Sequence, residues 1–241
     1  MEKVNTIIYN VQNSADRIDK ILSSGSFTDR NSVPTRDSLT FENGFYVYVT
    51  ALFIDIVGSS EMTDEHYRPT LAKIYRFFIS ECTAIMNSEY ICKEINIHGD
   101  CVWGVFDTPK TYDIDTVFSV SAKLSSLIDI LNYKLSKKNY SGISVGIGMD
   151  YGRALMVKAG YSGSSLNDVI WMGDVVNSAS HIASKAGRNY RDTLLVSSVV
   201  HNNLNDHNKG LLSKTSIDYT TYYGGNIHNI EMNNWYKANC K

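Results

Sequence analysis

The sequence predicts an α+β domain built on a split βαβ core, and three observations carry that reading. Residues 46–57, YVYVTALFIDIV, are rich in β-branched and aromatic side chains and read as a buried strand. Two longer stretches, 64–89 and 114–136, repeat apolar residues at helical spacing, with Leu71, Ile74 and Phe78 on one face and Val117, Leu124 and Leu131 on the other's. Between them, residues 90–97 and 101–106 are two short strands joined by the turn His98-Gly99-Asp100. The order strand, helix, strand, strand, helix, strand is that of ferredoxin-like domains, in which the first strand sits centrally beside the hairpin.

The flanks follow by the same logic. Residues 5–24 carry Ile7, Ile8, Val11, Ile18, Ile21 and Leu22 at helical spacing, and residues 25–44, with Pro34 and several Ser and Thr, read as a linker. The chain therefore divides into an N-terminal helix and linker at 1–44 and a main domain at 45–241, with a core at 46–200 and a C-terminal β extension at 201–241. The N-terminal helix is expected to pack on the main domain or on a partner chain. ISVGIGMD and RALMVKAG read as two strands flanking Asp150 to Gly152. The loop YSGSSLND and a short apolar run, VIWM, follow. GDVVNSASHIASKAG is a helix opened by Gly173 and Asp174 and closed by Gly187, and LLVSS is a strand. A hairpin is expected near Gly224-Gly225, with Trp235 as a late anchor.

Composition narrows the function. Of 241 residues, 43% are hydrophobic and 20% charged, enough for a sizeable core. A net charge of −2 argues against general nucleic-acid binding. The four cysteines form no C-x-x-C pair, so a zinc site is not expected, and the apolar settings of three of them suit a reducing compartment. The opening residues are too polar for a signal peptide, and no apolar run reaches the ~20 residues of a membrane span. The expectation is a soluble cytoplasmic protein with neither nucleic-acid nor membrane partners.

The chemistry gathers at two acids. Asp55 ends an apolar strand, where a charge is costly unless paired or liganded. Asp100 sits in the hairpin turn, and the fold brings the two strand ends together. Carboxylates that converge repel, and a hard divalent ion resolves the repulsion while taking phosphate oxygens as further ligands. Gly58 allows a sharp turn, and the N–H groups of Val57 to Ser60 open a helix, a setting that favours phosphate. The residues by themselves therefore point to a cation and a polyphosphate.

FIDIVGSS, HGDCVWGVF, GIGMDYGRAL and WMGDVVNSAS occur in that order, and together they resemble the catalytic domain of class III nucleotidyl cyclases over about residues 46–200. The resemblance implies that Asp55, Asp100 and the carbonyl of Ile56 hold two divalent cations, Mg²⁺ or Mn²⁺. It implies that Phe53, Val57, Gly58, Ser59 and Ser60 line the triphosphate site, and that Asn177 contacts the ribose or orients the nucleotide. It further implies a homodimer, because one domain supplies the cations and the other the Asn177 helix.

The chain departs from that family where a purine would be read. The two base-reading positions are Asn96 and Ile170, which match neither the Lys–Asp adenine type nor the Glu–Cys guanine type. His181 stands where the family places an Arg that stabilises the transition state, and Arg153, Lys158 and Lys185 are candidates to replace it. LNDVIWMGDVVN and the tail YYGGNIHNIEMNNWY resemble, more narrowly, the bacterial pyrimidine cyclases of the Pycsar antiphage system. That resemblance implies conversion of CTP or UTP, with CTP slightly ahead, to a cyclic monophosphate sensed by a separate effector protein. Two alternatives stand beside it: an adenylate or guanylate cyclase with an unusual base pocket, and a degenerate nucleotide-binding dimerisation module.

Overall fold

A computed structural model describes residues 6, 8–23, 25–62, 67–162, 166–189 and 191–241. Its strands are β1 (Ser26–Asp29), β2 (Asn43–Val57), β3 (Cys92–His98), β4 (Cys101–Asp107), β5 (Ser144–Gly160), β6 (Asn167–Met172), β7 (Leu194–Ser197), β8 (Ser213–Ile217) and β9 (Thr220–Gly225). The α-helices are α1 (Val11–Ser23), α2 (Arg68–Asn87), α3 (Thr111–Ser136), α4 (Asp174–Lys185), α5 (Ser198–Asn203), α6 (Asp206–Gly210) and α7 (Ile230–Asn239). One sheet runs β3-β4-β2-β5-β7-β9-β8, with β1 added beside β2 and β6 beside β5. The expected α+β, ferredoxin-like core is present as β2-α2-β3-β4-α3-β5, with β2 central between β4 and β5.

Residue alternation along β2 builds two layers. Leu52, Ile54 and Ile56 pack into the core beneath α2 and α3, with Phe78, Leu124 and Ile128. Val47, Val49, Ala51 and Phe53 point to the opposite face and pack with Val175, Ala179 and Ala183 of α4. Asp55 follows Phe53 by two residues and so lies on the α4 face. Helix α4 sits unusually close to the sheet at Gly148, where an added Cβ would stand 2.2 Å from the Ala183 nitrogen and 2.3 Å from the Ala179 carbonyl oxygen.

Several expectations change. The two strands expected around Asp150–Gly152 are one continuous β5, because Gly152 passes beneath Val175 and Asp150 accepts the N–H of Tyr151, so no turn forms. The C-terminal hairpin turns at Asp218 and Tyr219, both at positive φ, while Gly224 and Gly225 end β9. Trp235 is 46% exposed, and its helix α7 meets α3 through Tyr236, edge-on to Tyr133. The apolar face of α1 is exposed in the protomer, and the helix meets the domain through Lys20–Glu42 (2.7 Å) and Arg17 over Tyr161. The segment expected as a linker is tightly held: β1 pairs in parallel with β2, Leu39 is buried, and Val33 donates its N–H to Asp107. The first residues of the expected 64–89 helix, and part of the YSGSSLND loop, lie outside the described residues.

Candidate active site

The two acids meet at the end of the central strands. Asp55 pairs in register with Cys101, one residue beyond Asp100 in the hairpin. The carboxyl of Asp55 is raised above its ordinary range, first by burial and then by the charge of Asp100, and Arg188 opposes the shift. Oδ2 of Asp100 is buried and has no hydrogen-bond partner among the described residues. Tyr75 of α2 belongs to the same cluster: its hydroxyl is raised by burial and by Asp100, and it is bonded to Ser59. Cys101 is not an ionised ligand here, since burial and both acids push its thiol up to about 12.

This donor set fits a hard divalent cation. Two oxygen-bearing groups converge, one buried oxygen lacks a partner, and an excess of negative charge is only partly offset. The carbonyl of the buried Ile56 lies between Asp55 and the turn. Gly58 has φ +70, which opens that turn, and Met62 closes it by donating to the Gly58 carbonyl at 3.2 Å. Phe53 is buried and stacked on Trp103 at 5.0 Å, so it supports the site from within the core.

Sequence reasoning missed Arg188. Its guanidinium donates to Asp55 Oδ2 at 3.1 Å and to the carbonyls of Ala183 and Ala186 at 3.0 and 3.2 Å. It thereby ties the last turn of α4 to the acid. Nothing in the spacing marks it, because it lies beyond the helix and reaches Asp55 only in the fold. The three basic candidates named from sequence are held elsewhere. Arg153 pairs with Asp29 at 2.6 Å and covers the Tyr46 ring, Lys158 lies over Phe41, and Lys185 pairs with Asp218.

The remaining residues divide between the two ends of α4. Asn177 lies in its first turns and His181 one turn further, both exposed. Asn177 precedes Ala183, the residue that Arg188 ties to Asp55, by six residues, about 9 Å of helix rise, whereas His181 precedes it by only two. Asn96 is half-buried on β3 beside Glu94, and Ile170 is 44% exposed on β6.

Comparison with known proteins defines the class. Residues 42–226 match the family model described as the adenylate and guanylate cyclase catalytic domain, and the chain belongs to that family. It is similar to a uridylate cyclase of Gulbenkiania mobilis, 38% identical with 96% of this chain and 97% of that protein covered. It is also similar to a uridylate cyclase of Treponema porcinum, 36% identical over 94% of this chain and 80% of that protein. The adenylyl cyclase CyaB of P. aeruginosa shares the fold with a TM-score of 0.63 at 19% identity, over 75% of this chain and 94% of that one.

Proposed function

We propose that this chain cyclises UTP to 3′,5′-cyclic UMP and pyrophosphate. The observation that carries the reading is the Asp55–Asp100 pair, with one buried oxygen unpartnered, in a chain that aligns nearly end to end with proteins named uridylate cyclase. Those relatives put UTP ahead of CTP, reversing the slight preference expected from sequence. Asn96 and Ile170 support a pyrimidine, since they do not supply the paired readers that purine cyclases use.

Asp55, Asp100 and the Ile56 carbonyl would hold two divalent cations, Mg²⁺ or Mn²⁺. Bound there, the cations would polarise the α-phosphate and neutralise the departing pyrophosphate. The chain's own groups do the positioning. The Val57–Ser60 turn presents backbone N–H groups to phosphate, Arg188 orients Asp55, and Tyr75 orients Ser59. The ribose 3′-hydroxyl then loses its proton to solvent as its oxygen attacks the α-phosphorus in line, and the bond from that phosphorus to the α–β bridging oxygen breaks to release pyrophosphate.

Asn177 and His181 are assigned to the site of a second copy, as the family resemblance implies. The working form is therefore a homodimer with two equivalent sites. The narrower sequence resemblance supports a role in antiphage signalling, with the cyclic product read by a separate effector. The test is a competition among equimolar ATP, GTP, CTP and UTP with Mn²⁺, with products identified by mass. Cyclic UMP should dominate. A purine product would overturn the base assignment, and nucleotide binding with no turnover under either metal would point to a degenerate domain.

A further inference from the structure

We propose that Arg36 and Glu94 are positioning residues that lock the amide of Asn96 in one orientation, and that this locked amide selects uracil. The inference rests on the pyrimidine reading above. It begins with an irregularity: the register of β3 against β4 shifts between Cys92 and Glu94. Such a bulge re-aims the residues that follow it. Past that shift Glu94 lies opposite Val105 and points to the α4 face with a side chain only 3% exposed. A carboxylate buried to that degree needs partners. Its Oε1 receives Arg36 Nη2 at 3.1 Å and Asn96 Nδ2 at 3.4 Å, while Oε2 is buried with no partner among the described residues. A core position chosen for packing alone would not keep a half-satisfied acid.

The consequence lies in the hydrogen-bond inventory. The Glu94 oxygen that receives Arg36 also receives Asn96 Nδ2, so the amide turns its NH₂ group toward Glu94 and its carbonyl oxygen away. The amide then offers its second N–H and its Oδ1 as a donor and an acceptor of fixed order. Uracil presents a donor at N3 flanked by carbonyl acceptors, and it satisfies that pair with N3–H on Oδ1. Cytosine in that same seat presents a lone pair at N3, which would face Oδ1 unfavourably. Without Glu94 the amide can flip, and the distinction is lost.

Arg36 completes the device. The same guanidinium also meets Asp168 of β6 at 3.2 Å. It therefore bridges β3 and β6, the two strands that carry the base-reading positions Asn96 and Ile170. The segment before β2 thus gains a role in specificity.

The experiment measures kcat/KM for UTP and for CTP, each alone, in the wild type and in Glu94→Met, Arg36→Met and Arg36→Lys. Dissociation constants for both nucleotides in Ca²⁺ give a second readout. Glu94→Met and Arg36→Met should lower the UTP-to-CTP ratio about 10-fold, while Arg36→Lys keeps most of it. A ratio within about twofold of wild type in either Met variant would overturn the relay, as would equal losses on both nucleotides, the pattern of a merely structural role. Should Glu94→Met fail to fold, Arg36→Met decides alone, because Arg36 is more than half exposed. A wild type selective for UTP with equally selective variants sinks only the relay; a wild type that uses neither pyrimidine sinks the functional reading and the relay with it.

Discussion

At the scale of single residues, the site is a balance of charge. Asp55 is disfavoured by burial and by Asp100 and is relieved by Arg188. Arg188→Met should therefore lower the stability of the metal-free protein by about 1–3 kcal/mol, the range for losing a charged hydrogen bond, and Mn²⁺ should recover part of it. Equal losses with and without Mn²⁺, followed by thermal melting, would assign Arg188 to helix packing alone. The pH dependence has a definite sign. Because the folded carboxyl of Asp55 is raised, its protonated form suits the native state, and its contribution to stability is lost as pH rises through the folded value. In chelator, Asp55→Asn should therefore melt above wild type at neutral pH, and the gap should close toward about pH 3, below the ordinary carboxylate value. A gap that widens toward acid would contradict this account. Asp55 was legible in the sequence because a charge inside an apolar strand stands out. Arg188 was not, because a cation after a helix looks like any solvated residue until its partner is known.

At the scale of elements, the seat of α4 fixes how closely the helix that carries Asn177 lies against the sheet. Gly148 lets the helix lie against β5, and Gly148→Ala would drive a Cβ into the backbone of Ala183 and Ala179. That substitution should destabilise the fold by about 1–3 kcal/mol or more, seen as a lower urea midpoint. A midpoint equal to wild type would show that α4 can move freely. Long periodic elements such as α3 were legible. The misreadings have local causes. Asp150 to Gly152 carries turn residues, yet the strand runs through because Gly152 fits under Val175. The true hairpin uses Asp218-Tyr219, a pair that does not advertise a type I′ turn as Asn-Gly does. Glu94 escaped notice because its partner Arg36 lies in the segment read as a linker and reaches it only in the fold.

At the scale of the whole molecule, the proposed reading has one copy supply Asp55 and Asp100 and the other supply Asn177, so catalysis should need two copies. Mixing Asp55→Ala with Asn177→Ala chains, each inactive alone, should restore about a quarter of wild-type activity, since half the dimers are mixed and each carries one intact site. No recovery would place the complete site within one protomer. The central claim is tested most directly by following cyclic UMP and pyrophosphate from saturating UTP and Mn²⁺ in wild type, Asp55→Ala and Asp100→Asn. Both products should form in equal amounts in wild type and fall at least ~10³-fold in each variant, a barrier increase of about 4 kcal/mol, while both variants remain folded when melted in chelator. Turnover near the wild-type rate in either variant would contradict the account.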